Sequence, residues 1–138
     1  MATQTAALRF FPSKTALALP DNIPAMIKPA AARALAMTMP EASEAPHFEK
    51  SSFRVAKKIF ATMGEGGDPH MVVKLTPDQQ SMMGEVRPDV FSALPGRWGE
   101  QGWTRIAFEA CDAETLHHAL GMSWRNVAPK RLLTLLTE

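Results

Sequence analysis

The stretch from Pro46 to Met63 alternates apolar and polar residues on either side of the adjacent lysines Lys57 and Lys58, and that pattern commits the chain to antiparallel strands. Phe53 and Val55 alternate with Ser52 and Arg54, and Ile59, Ala61 and Met63 alternate with Phe60 and Thr62. Successive side chains of a strand point to opposite faces, so this spacing describes two half-buried strands joined at the lysines. One face is apolar and the rim is basic.

The flanking sequence supplies the supports. Pro29 suits the first helical position, where its missing N–H would have no partner, and Ala30 to Met39 follows as a helix with Leu35 and Met39 four residues apart. Pro40 ends it, and Glu41 to Pro46 reads as an acidic connector. After the paired strands, Gly64 to Pro69 is dense in turn residues. It has no G-x-x-x-x-G-K-[ST] pattern and leads into a strand, His70 to Leu75, so it reads as a hairpin loop and not a phosphate loop.

Thr76-Pro77-Asp78-Gln79 matches a capping box and predicts a helix running to about Val86. From Arg87 to Gln101 the pattern is irregular, with a brief extended piece at Val90 and Phe91 and a turn at Pro95-Gly96. Gly102 to Phe108 recovers alternation, Thr104, Ile106 and Phe108 facing one way and Trp103, Arg105 and Ala107 the other. Asp112 is a good N-cap for a helix whose Leu116, Ala119, Leu120, Trp124 and Val127 recur at spacings of three and four. Pro129 restarts a last short helix bearing Leu132, Leu133, Leu135 and Leu136, which packs on the body or on a second copy as a homodimer. Strands joined by tight loops pair antiparallel, and helices at the two ends can cover one face of the sheet. The fold class is α+β: a two-layer sandwich of a small antiparallel sheet covered by N- and C-terminal helices.

With 138 residues the chain holds one core, assigned to residues 29–138, preceded by an extension over 1–28. Gln4, Arg9, Pro12 and Lys14 interrupt the start, which argues against a secretory signal, although the lack of acids before Asp21 is faintly similar to an organellar transit peptide. Leu8, Phe10, Phe11, Leu17 and Leu19 are expected to pack on the body. The lone Cys111 cannot form an internal disulfide, which fits a reducing, cytoplasmic setting. No apolar run approaches ~18–20 residues, so no membrane partner is expected. A net charge of +1 gives no global field, and any anionic partner must be held by a local patch.

Leu35-Ala36-Met37-Thr38-Met39-Pro40-Glu41, Ala45-Pro46-His47-Phe48, Ser52-Phe53-Arg54-Val55, Lys58-Ile59-Phe60-Ala61, Lys74-Leu75, Gly102-Trp103 and Ala128-Pro129-Lys130-Arg131-Leu132, in this order, resemble the MmcQ/YjbR family over about residues 29–133. The resemblance implies a compact α/β sandwich similar to CyaY-like and secretion-chaperone-like folds. It also brings the family's usual description as DNA-binding, which is an analogy of shape to a wing-like domain. Two positions depart from the family pattern. Glu49 and Lys57 stand where members often have glycine, and the second loses glycine's access to positive φ.

The residues themselves supply candidates for an anionic partner. Lys50, Arg54, Lys57 and Lys58 stand against Glu49 alone between Pro46 and Met63, as a basic β-wing would require. Lys74 and Arg105 extend the patch if their strands are neighbours, and Lys130 and Arg131 are possible auxiliaries. The plain alternative is a solvated rim, since lysines at edges also block unwanted strand pairing. His47, Trp98 and Trp103 are candidates for a ligand pocket, with aromatic core as the competing role. No two of His47, His70, His117, His118 and Cys111 have zinc-ligand spacing, and no catalytic constellation stands out, so neither metal, cofactor nor enzymatic activity is expected. The functional expectation is weak, phosphate-directed binding of DNA or RNA. The alternative is a non-enzymatic protein-interaction or chaperone-like module using the sheet face or the last helix.

Overall fold

A computed structural model describes residues 27–47, 50–64 and 69–136. The described strands are β1 (Ser43–His47), β2 (Lys50–Val55), β3 (Lys58–Gly64), β4 (His70–Lys74), β5 (Phe91–Ala93) and β6 (Trp103–Ala107). They form one six-stranded sheet in the order β1-β2-β3-β4-β6-β5, with every neighbouring pair antiparallel. The helices are α1 (Pro29–Met37), α2 (Pro77–Val86), α3 (Gly96–Glu100) and α4 (Ala113–Val127), followed by a 3-10 helix over Lys130–Leu135. The α+β class read from the sequence is the class observed.

The core lies between the sheet and α4, with α1 packed beside it. Phe53, Val55, Met63, Met71, Val73 and Ile106 from the strands meet Leu116, Ala119, Leu120 and Trp124 from α4, all at most 3 % exposed. Ala32 and Ala36 of α1 are fully buried, and their small size lets that helix approach α4 closely. Trp124 Nε1 donates to the carbonyl of Pro40, tying the end of α1 to the core. Ile27, buried at 6 %, donates its N–H to the carbonyl of Phe108, so the packed body includes this residue of the proposed extension. The rest of the proposed extension lies outside the described residues.

Three local expectations are met in detail. Thr76 and Gln79 form the reciprocal capping box, and Gln79 Oε1 also accepts from Asn126, joining α2 to α4. Asp112 caps α4 by accepting from the N–H of Thr115. On β6, Thr104 and Ile106 are buried, whereas Trp103, Arg105 and Ala107 are half-buried.

Two stretches differ from expectation. Ser43–His47, within what reads as a connector, is a strand paired to β2. Pro46 masks it in the sequence, yet β1 is an edge strand, where proline's missing donor costs no ladder bond. The turn expected at Pro95-Gly96 opens instead into the single helical turn α3, with Gly96 at φ 71.

Candidate nucleic-acid interface

Residues paired across a ladder share a face, so the register sorts the strand residues. Phe53 opposes Ala61, Ala61 opposes Val73, and Val73 opposes Thr104, a row on the helix-covered face. Ser52, Thr62, Val72, Arg105 and Ser92 form the neighbouring row, which points to the opposite face, open in the sense that α1, α2 and α4 among the described elements lie on the other side. By the same alternation Lys50, Arg54, Lys74 and Trp103 belong to the open face as well. Its charged strand residues are therefore Lys50, Arg54, Lys74 and Arg105, all basic. The acid in β1, Glu44, opposes Phe53 and is turned to the other side, where Arg33 of α1 binds its carboxylate.

β4 and β6 are neighbours, as the extension of the patch to Lys74 and Arg105 requires, with Val72 opposite Arg105 and Lys74 opposite Trp103. Arg54 is positioned through its Nε, which donates to the Ser52 hydroxyl at 2.9 Å, and that hydroxyl in turn donates to the carbonyl of Ala45. Lys74 is committed differently. Its Nζ donates to the carbonyl of Gln101 at 2.5 Å and lies 5.4 Å from the centroid of the Trp103 ring, so it holds Trp103 as well as carrying charge. Arg105 is half-buried, while Lys50, Lys57 and Lys58 are exposed.

Ala56 and Lys57 form the two-residue turn between β2 and β3, with φ of 51 and 71. Positive φ at both positions is the type I′ hairpin geometry that matches the twist of the strands, reached here without glycine. The turn carries Lys57 beyond the sheet at the Arg54 and Lys74 end, whereas Lys58, opposite the buried Val55, belongs by the register to the helix-covered side and not to this face. Lys50, at the start of β2, stands ~13 Å from Arg54 along the strand. Lys130 and Arg131 are exposed on the 3-10 helix after α4 and belong to the helical layer, so they are not part of this face.

The pocket candidates separate. Trp98 and Trp103 meet edge to face, with centroids 6.2 Å apart and planes inclined by 69°. His47 lies on β1, four strand spacings from β6 or about 19 Å, so it does not join them. The pairing of Trp98 with Trp103 was not readable from their separation in sequence. Only α3 brings them together.

Other chemistry finds little support among the described residues, where no group of three His, Cys, Asp or Glu is placed to hold a metal. Cys111 is fully buried, and burial pushes its thiol up to about 12, the opposite of an activated nucleophile. Arg87 binds Asp89 through both guanidinium contacts and donates to the carbonyl of Ala110. The side-chain hydrogen bond from Arg87 holds the Asp89 carboxyl below the usual carboxylate range, and the Arg87 bond to Ala110 ties the α2–β5 connection to the segment before α4. Arg87 with Asp89 is a structural pair. No described helix is long and apolar enough to cross a membrane.

The crystal structure of Deinococcus radiodurans protein DR2400, with the family-model domain DUF419, superposes with a TM-score of 0.65 at 20 % identity, covering 78 % of this chain and 83 % of that one. At that identity the likeness is one of fold. No curated protein matches the chain. The YjbR family model matches residues 37–126, from the end of α1 through most of α4, and the chain belongs to the YjbR family.

Proposed function

We propose that this domain binds nucleic acid weakly through phosphate contacts made by its open sheet face and the Ala56–Lys57 hairpin, with little reading of base sequence. The observation that carries the reading is the sign of the face. Lys50, Arg54, Lys74 and Arg105 share it without an acid among its described strand residues, and Lys57 extends it at one end. Cations gathered on one surface release counterions from a phosphate backbone, which supplies most of the affinity in sequence-independent binding. A merely solvated rim would be expected to mix signs.

The protein-interaction alternative is weakened by the last helix. Leu132 is buried, Leu133 and Leu136 pack on the core, and Leu135 is left exposed at 53 %, so that helix has largely spent its apolar surface inside the molecule.

The test is fluorescence anisotropy with labelled random duplex and single-stranded DNA at ~50 and ~200 mM salt, comparing wild type with a Lys50→Gln, Lys57→Gln, Arg105→Gln variant. Neutral glutamines at exposed or half-buried sites leave the core alone. Binding that weakens steeply with salt in the wild type and is lost in the folded variant supports the reading. Failure of the wild type to bind either nucleic acid at ~50 mM salt overturns it.

A further inference from the structure

We infer that the Trp98–Trp103 pair is a stacking platform for the bases of single-stranded nucleic acid. The inference rests on the phosphate-binding reading above and adds to it the class of strand that is bound.

Trp98 is 62 % exposed, an unusual position for a side chain whose burial is worth more than that of any other residue. The ring is nevertheless held. α3 is pinned against the strand that precedes it, because a Cβ at Gly99 would fall 1.8 Å from the carbonyl oxygen of Leu94. The T-shaped contact with Trp103 fixes the Trp98 ring from one side. Trp103 is itself fixed by the Lys74 ammonium, whose position is set by the carbonyl of Gln101. An exposed aromatic surface already ordered in this way loses little conformational entropy when a flat ligand settles on it.

The surroundings select the ligand. Arg105 lies two residues beyond Trp103 on the same strand face, ~7 Å further along. Arg97 and Glu100 of α3 stand one and two residues from Trp98, and residues at either spacing do not share a helix face, so the helix places neither charge beside the ring. A base on the ring with its flanking phosphates toward Lys74 and Arg105, which share the Trp103 face, satisfies both features. In a duplex the faces of the bases are hidden in the stack, so a stacking ring engages only unpaired bases. A peptide occupant would need an aromatic or proline segment flanked by acids.

The experiment measures anisotropy of a labelled oligothymidylate, a hairpin duplex of equal length and a polyglutamate peptide at about 50 mM salt, with wild type, Trp98→Ala and Trp98→Phe, each shown to be folded by circular dichroism. Trp98→Ala is expected to weaken oligothymidylate binding roughly 5- to 100-fold while the duplex changes less than about twofold, and Trp98→Phe is expected to restore most of the loss. Equal losses on both nucleic acids, or no loss on oligothymidylate, would overturn the platform and leave the phosphate reading standing. A wild type that binds neither nucleic acid would overturn both. Polyglutamate bound in preference to oligothymidylate would make the pair a protein-docking surface and also sink the inference.

Discussion

The hydroxyl of Ser123 on α4 donates to the carbonyl of Phe60 on β3 and accepts the N–H of Lys74 on β4. The register between β3 and β4 runs from Met63 and Met71 to Ala61 and Val73. Phe60, one residue further, is the extra residue of a bulge, since Phe53 opposes Ala61 while Arg54 opposes Ile59. The bulge parts the strands where Phe60 and Lys74 would otherwise pair, and a serine from the covering helix closes the gap. Ser123→Ala leaves a carbonyl and an N–H with no partner beneath the helix and is expected to destabilise the fold by about 1–3 kcal/mol. A denaturant midpoint unchanged from wild type would show that the ladder closes without it.

Gly102 stands at φ 104, and a Cβ there would lie 1.8 Å from the carbonyl oxygen of Leu75. The close approach is used, because the N–H of Leu75 donates to the carbonyl of Gly102 and so ties the end of β4 to the start of β6. Gly102→Ala meets both a strained φ and a backbone clash that no side-chain rotation relieves. The expected cost is about 3 kcal/mol, with the Trp103 contacts displaced. Thermal unfolding reads the first effect and tryptophan emission the second; a variant with wild-type melting would contradict the geometry.

Much of this arrangement is legible before any coordinates. The alternation on β2 and β6, the capping box at Thr76 and the Asp112 cap are local rules acting over a few residues, and they hold here, whereas on β3 the bulge at Phe60 turns Ile59 to the face of Arg54, away from Ala61 and Met63, and buries Phe60. The sorting of Arg54 and Arg105 onto the face opposite Phe53 and Ile106 follows from the same period of two. What is not legible depends on contacts distant in sequence. Pro46 argues against a strand until β1 is known to be an edge. The meeting of Trp98 with Trp103 depends on α3, a single turn whose Pro95-Gly96 opening looks like a loop. That His47 and Trp103 lie four strand spacings apart is a matter of strand order, which no spacing along the chain reveals.

Cys111 gives a pH dependence with a definite sign. Burial, the largest cause, raises its thiol from the ordinary 9.0 to about 12, with the charge of Asp112 adding to the effect. Below pH 9 the thiol is neutral in both folded and unfolded chains, so this contribution to stability is fully present. Between 9 and about 12 the unfolded chain loses the proton and the folded one keeps it, so stability falls as pH rises through that window. Iodoacetamide at pH 8 is expected to label Cys111 at a rate that tracks unfolding and rises with denaturant. Labelling of the native protein at the rate of a free thiol would contradict the burial.

Lys57 separates stability from function in one residue. At φ 71 it occupies a left-handed conformation that costs a residue with a Cβ ~1–2 kcal/mol, of which glycine would recover part after its own entropy loss. Lys57→Gly is therefore expected to raise stability by about 1 kcal/mol, read as a shift in denaturant midpoint. It also removes a cation from the tip of the hairpin. If that cation meets a phosphate, the logarithmic salt slope of nucleic-acid binding becomes shallower by about 0.9 in the more stable protein. A gain in stability with an unaltered slope would place Lys57 outside the interface and leave the patch to Lys50, Arg54, Lys74 and Arg105. A loss of stability would contradict the type I′ turn itself.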